Sequence, residues 1–120
     1  MKANEPDALS KTTRINLLFD FYEPLLTEKQ RTFLKYYFHD DFSLGEISGE
    51  FGISRQAVYE HIKRAEAVLE GYESKLNLLS KHEELQRLTA LLTESVNGLS
   101  IGERERQALF DVIAQFNITE

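Results

Sequence analysis

The sequence contains no cysteine, which excludes disulfides, thiolate zinc sites and cysteine nucleophiles. It has only two prolines, Pro6 and Pro24. With few β-branched runs and many Leu, Glu and Lys, little in it opposes helix. No apolar run approaches the roughly 18–20 residues of a membrane-spanning helix. The opening MKANEPDALSK lacks the apolar stretch of a secretory signal, so the cytoplasm is the expected location. Positive charge is in deficit: 14 Lys and Arg stand against 20 Asp and Glu, a formal charge of −6 over 120 residues. That balance argues against a polybasic nucleic-acid coat or a binder of anionic membranes, while leaving room for a local basic face. No Gly-rich phosphate loop and no Ser/His/Asp order is present. His39, His61 and His82 have no metal-ligand spacing, and the pairs Glu83–Glu84 and Glu103–Glu105 read as solvated carboxylates. The chain is expected to be no enzyme and to need neither cofactor nor metal.

What is present is apolar periodicity. With 42% apolar residues the chain can bury a modest core, and the pattern predicts an all-α fold. Residues 1–11 are polar and aperiodic and are expected to form a flexible lead-in. Ile15, Leu18, Phe19 and Tyr22 then recur at helix spacing, and Pro24 should end that helix. Thr27 with Gln30 forms a capping box ahead of Phe33, Leu34, Tyr37 and Phe38, and His39, Asp40 and Asp41 form a polar turn. Ser43 with Glu46 makes a second box, and Ser100 with Glu103 a third. Dense aromatics from Phe19 to Phe42 fall at helical spacing and read as core. Gly71 is expected to end or loosen its helix. From Tyr72 to Asn97 a long leucine-rich helix is predicted, followed by a terminal helix carrying Leu109, Val112, Ile113 and Phe116. The expected organisation is a lead-in over 1–11, a helix-turn-helix domain over 12–71 and a helical dimerisation or interaction region over 72–120.

The informative stretch is residues 44–64, LGEISGEFGISRQAVYEHIKR. A helix-turn-helix needs two helices joined by a tight turn, and each requirement has its residue. Ile47 and Phe51 seal the first helix against the core, and Ser48 is small enough for close approach. Gly52 suits a left-handed turn conformation, where a side chain would be strained and would crowd the turn. Ile53 plugs the gap between the helices, Ser54 caps the second helix, and Val58 and Ile62 anchor it. Once these face inward, Arg55, Gln56, Tyr59, Glu60, Lys63 and Arg64 are left outside. Arg55 and Gln56 lie in the first turn, where a recognition helix enters the major groove. Arg pairs bidentately with guanine and Gln with adenine; Tyr59 suits a sugar or a thymine methyl, and Lys63 and Arg64 suit phosphate. Lys29, Arg31 and Lys35 on the preceding helix can add backbone contacts. Glu60 in the middle of this face, and the overall acidity, weaken phosphate attraction. Leu78, Leu85, Leu88, Leu91 and Leu92 form a stripe that a small domain cannot easily bury alone, so a homodimer is expected.

Residues 27–69 resemble region 4 of bacterial sigma factors and related response-regulator output domains. A closer resemblance is to the YlxM-like family of small helix-turn-helix proteins of Gram-positive bacteria and mycoplasmas. It is carried by RINLLFDFYEPLLTEKQ (14–30), YYFHDDFSLGEISGEFGISRQAVYEHIKRAE (36–66) and LEGYESKL (69–76). The Asp-Asp turn, the Ser-Arg-Gln-Ala-Val-Tyr run and the Glu-Gly-Tyr-Glu segment occur together in it. It covers about half of the chain and is silent beyond Glu84. The resemblance implies a DNA-binding regulatory protein. Largely through gene neighbourhood, it also implies a part in the signal recognition particle pathway, or an accessory role on that particle's RNA or protein subunits without reading DNA. No catalytic residue comes with it.

Overall fold

The computed structural model describes residues 4–117, with side chains from Leu9 to Phe116. Among these residues every regular element is helical: α1 (Asn4–Tyr22), a 3₁₀ turn (Glu23–Leu25), α2 (Glu28–Leu34), a π-helical turn (Lys35–His39), α3 (Leu44–Phe51), α4 (Arg55–Leu76), α5 (Leu78–Asn97), α6 (Glu103–Ala114) and a closing 3₁₀ turn (Gln115–Asn117). The chain divides into two compact units, Met1–Leu79 and Ser80–Glu120.

The first unit is built on one face of α4. Val58, Ile62, Ala65 and Leu69 follow one another at helix spacing and are all buried. Their C-terminal half joins Ile15, Leu18, Phe19 and Tyr22 of α1 with Leu26, Leu34 and Leu79. Their N-terminal half joins Phe33 of α2 and Ile47 of α3. Phe38, half-buried, packs against both clusters and makes the core continuous. The capping boxes at Thr27–Gln30 and Ser43–Glu46 form as predicted, each side chain accepting from the backbone N–H of its partner. Pro24 falls in the 3₁₀ turn that follows α1. After α2 the chain widens into the π turn, in which the Asp40 N–H donates to the Lys35 carbonyl at 2.9 Å. Asp41, at φ 61°, then reverses direction. A short polar side chain tolerates that left-handed conformation.

Four boundaries differ from the sequence expectation. Helix α1 already includes residues 4–11, while residues 1–3 lie outside the described residues. The apolar period starts only at Ile15, so nothing amphipathic marks the earlier turns. From Lys11 onward, long-range ion pairs tie α1 to α4: Lys11 to Glu66 at 3.1 Å, and Arg14 bidentately to Glu70 at 2.7 and 2.8 Å. Arg14 holds the Glu70 carboxyl below its ordinary range. Gly71 does not end α4. It is exposed, and a helical glycine costs only about 1 kcal/mol, which continued burial of Leu69 and Glu73 on either side outweighs. The break falls at Asn77, left-handed at φ 57°, so residues 72–97 are two helices rather than one. Helix α6 begins after Gly102, with no side-chain cap, and the Ser100–Glu103 box does not form. Arg106 organises that loop instead, its guanidinium donating to the carbonyls of Val96 and Leu99 at 2.6 and 3.1 Å.

A buried polar network locks the end of α4 to α1. The Tyr22 hydroxyl donates to Glu73 Oε1 at 2.6 Å and accepts from the Leu78 N–H at 3.1 Å. The same carboxylate oxygen accepts from the Leu79 N–H at 3.1 Å. Tyr22 is fully buried, and Glu73 is 6% exposed. Burial, and then the Glu73 carboxylate, pushes the Tyr22 phenol above its ordinary value. In the second unit Val96 and Ile113 are buried, whereas Leu88, Leu91 and Leu92 on α5 and Leu109, Val112 and Phe116 on α6 stay exposed.

The turn between α3 and α4 is closed by backbone. The Ser48 carbonyl accepts from the N–H groups of Gly52 and Ile53 at 2.8 and 3.2 Å, the pairing that ends helices on a left-handed residue. Gly52 is that residue, at φ 67°. A Cβ there would meet nothing within 4 Å, so the expected crowding is absent and strain alone makes glycine necessary.

Two stability outcomes follow from these contacts. Tyr22→Phe leaves the Leu78 N–H unpaired and deprives Glu73 of a donor. Urea unfolding should register a loss of about 1–3 kcal/mol; an unchanged midpoint would mean that water replaces the hydroxyl. Gly52→Val should cost about 1–3 kcal/mol through backbone strain, and Gly52→Asn distinctly less, because Asn tolerates the left-handed region. Equal losses for the two variants would point to sterics instead.

Candidate nucleic-acid interface

The second helix of the helix-turn-helix is the first part of α4. Ser54 caps it, its Oγ accepting from the Ala57 N–H at 3.0 Å. Ile47, Val58 and Ile62 are buried, and Ile53 is half-buried against the same cluster. Ser48 turns its hydroxyl onto the Gly45 carbonyl at 3.0 Å, which leaves no bulk on that side of α3. Phe51 is placed differently from Ile47: it is 40% exposed and lies at the rim of the core, its ring 4.9 Å from Phe33 and 5.8 Å from Tyr36.

With one stripe of α4 committed to the core, a period of 3.6 residues sends the remaining side chains outward. Arg55, Gln56, Tyr59, Glu60, Lys63 and Arg64 are all exposed, and their electrostatic circumstances differ. The Arg55 guanidinium crosses Gly45 so closely that a Cβ there would lie 3.1 Å from it. Gln56 donates to Glu60 at 3.2 Å, so these two satisfy each other in the free protein. The Lys63 ammonium lies 5.6 Å from the Tyr59 ring centroid and 3.6 Å from Glu66. Lys11, on the same Glu66 oxygen, pushes the Lys63 ammonium below its ordinary value. Arg64 lies on the other flank, lining a hollow with Lys29 and His61.

Sequence reasoning missed Lys11 and Glu66 as members of this face. The i, i+3 spacing of Lys63 and Glu66 was a readable signal. The approach of Lys11, far away in sequence, left none. Among the described residues no group of three or more His, Asp or Glu side chains is arranged to hold a metal, and no helix is long and apolar enough to cross a membrane.

Residues 9–109 match the model of the YlxM/p13-like helix-turn-helix family, UPF0122. UPF0122 proteins of Bacillus thuringiensis (strain Al Hakam), Bacillus cereus (strain AH187) and Bacillus anthracis (strain A0248) are each 60% identical to it over 89 residues, 74% of this chain and 81% of theirs. The match spans the capped helices, the Gly52 turn and the outer face of α4, and it carries the resemblance read from residues 14–76 on to residue 109. The chain belongs to the YlxM/p13-like helix-turn-helix family.

Proposed function

We propose that this chain is a non-enzymatic, DNA-binding regulatory protein that presents the outer face of α4 to the major groove. The observation that carries this reading is the division of labour along the helix. Val58 and Ile62 are buried, while Arg55, Gln56, Tyr59, Lys63 and Arg64 are exposed on a helix entered through a tight glycine turn. Arg55 and Gln56 supply base contacts, Tyr59 apolar contact, and Lys63 and Arg64 phosphate contacts. Three of these must first leave a partner or a resting place: Gln56 leaves Glu60, Arg55 leaves Gly45, and Lys63 leaves Glu66. Together with the net charge of −6, these costs give modest affinity, in which specific contacts count for more than bulk attraction.

The YlxM-like resemblance supplies a setting for that activity, the signal recognition particle pathway in the cytoplasm. A second reading, an accessory protein that binds the particle's RNA or protein subunits and does not read DNA, is favoured by Glu60 at the centre of the face and by the engagement of Lys63 with Glu66. Exposed Leu88, Leu91 and Leu92 on α5 support a homodimer, the assembly that lets two recognition helices address paired half-sites.

Replacing Arg55 and Gln56 with Ala should leave the fold intact, since neither fills the core. In a binding assay over varied duplexes it should remove sequence preference, at about 1–3 kcal/mol per lost bidentate contact. Lys63→Ala should weaken all duplexes alike and reduce the slope of log affinity against log salt by about 1. A selection from random duplexes that enriches no motif, with the protein co-purifying with the particle, decides for the accessory reading. Sedimentation should return a dimer mass that falls on dilution, and a monomer mass at all concentrations would rule the dimer out.

A further inference from the structure

On the flank of α4 away from Lys63, a cavity of about 240 Å³ opens toward α2. Its polar lining is Lys29 from the first turn of α2 beside the Thr27–Gln30 capping pair, with His61 and Arg64 from successive turns of α4, and its apolar lining is Phe33, Ala65 and Val68. No carboxylate lines it, although the chain as a whole carries an excess of acids. Among the described residues, neither Lys29 nor Arg64 is held in an ion pair, in contrast to Lys11, Arg14, Lys35, Lys63, Arg87 and Arg106. The His61 imidazole is held in place by Phe33, whose ring lies 4.8 Å away and nearly parallel, at 14°. Two cations from two different helices and a fixed imidazole thus line one hollow that has no carboxylate in its wall.

We propose that this hollow is a phosphate-binding site, with Lys29 and Arg64 as the charged clamp and the His61 imidazole as a third donor. A guanidinium donates in a planar fork that matches phosphate oxygens, and an ammonium serves the same oxygens as a point charge. The apolar lining suits the carbon side of a phosphate ester. The phosphate comes either from a nucleic-acid backbone or from a free phosphate, and only the first source rests on the DNA reading above. Because Arg64 also borders the outer face of α4, a backbone phosphate seated here would fix the helix in its groove.

Binding at this site takes up a proton. In the free protein burial holds His61 below the ordinary imidazole range, and Lys29 and Arg64 push it further down; Glu60 alone among the charged groups facing it pulls it up. A bound phosphate supplies the opposite charge, so the imidazolium is favoured in the complex and the titration midpoint rises. Affinity that depends on His61 is therefore greater below that raised midpoint and is lost as pH climbs through it.

The test follows the His61 ring signals of the full chain by NMR from about pH 5 to pH 8, a window set by the imidazole pKa. His61→Gln assigns them. Three solutions of matched ionic strength are compared: sodium chloride, inorganic phosphate, and sodium chloride with a short DNA duplex. Phosphate should raise the His61 midpoint relative to chloride. The Lys29→Gln, Arg64→Gln double variant, altered only at exposed positions, should show a raised midpoint in chloride already and no further response to phosphate. If the duplex also raises the midpoint in the wild type and not in the double variant, the phosphate belongs to a backbone. A response to inorganic phosphate without one to the duplex keeps the site, assigns it to free phosphate, and counts against the DNA reading alone. Absence of any response to both probes, or a response undiminished in the double variant, overturns the proposal.

Discussion

The burial of a single stripe on α4 is the constraint from which the first unit follows. Val58, Ile62, Ala65 and Leu69 are each essentially without solvent contact. Full burial of Val58, Ile62 and Leu69 contributes about 1.5–3 kcal/mol each. Because α1, α2 and α3 all pack on that stripe, it sets the rotation of α4 about its own axis. A helix so held has no freedom in what it shows to solvent, and Arg55, Gln56, Tyr59, Lys63 and Arg64 are the complement of its buried face. The buried Tyr22–Glu73 contact secures the far end of the same helix and so resists its turning.

Charge is distributed by pairing more than by composition. The acidic excess is spread along the chain, yet the long-range ion pairs draw α1 onto α4 through Glu66 and Glu70. Exposed pairs of this kind contribute little stability individually. Glu66 differs in being nearly buried and shared by two lysines, so its removal would leave two ammonium groups facing each other. On one flank of α4 the cations are thereby engaged by a carboxylate, while on the other Lys29 and Arg64 line a hollow that has none.

How much was legible depended on the range of the interaction responsible. Local rules located the turn at Gly52, the caps at Thr27, Ser43 and Ser54, and the inward positions Ile47, Val58 and Ile62, because each rests on neighbours within one helical turn. They failed at residues 4–11, which are helical without an apolar period to mark them, and at Gly71, where burial overrode propensity. They failed again at Ser100, where α6 starts after Gly102 without a side-chain cap and the Arg106 guanidinium instead ties the loop through the Val96 and Leu99 carbonyls. The stripe on α5 was legible as a pattern, although its leucines at 88, 91 and 92 are exposed in this chain.

The amino-acid sequence by itself determined the all-α class, the helix-turn-helix and the outer face of α4, since apolar period, capping residues and a left-handed glycine act over a few residues. Only the tertiary structure decided which cations on that face are already engaged. Lys63 and Arg64 are adjacent in sequence, but one meets Glu66 and Lys11 while the other borders a hollow with Lys29 and His61. Successive residues on a helix point about 100° apart, and the partner each one meets is supplied by a different helix, packed there by the core and not by any local pattern.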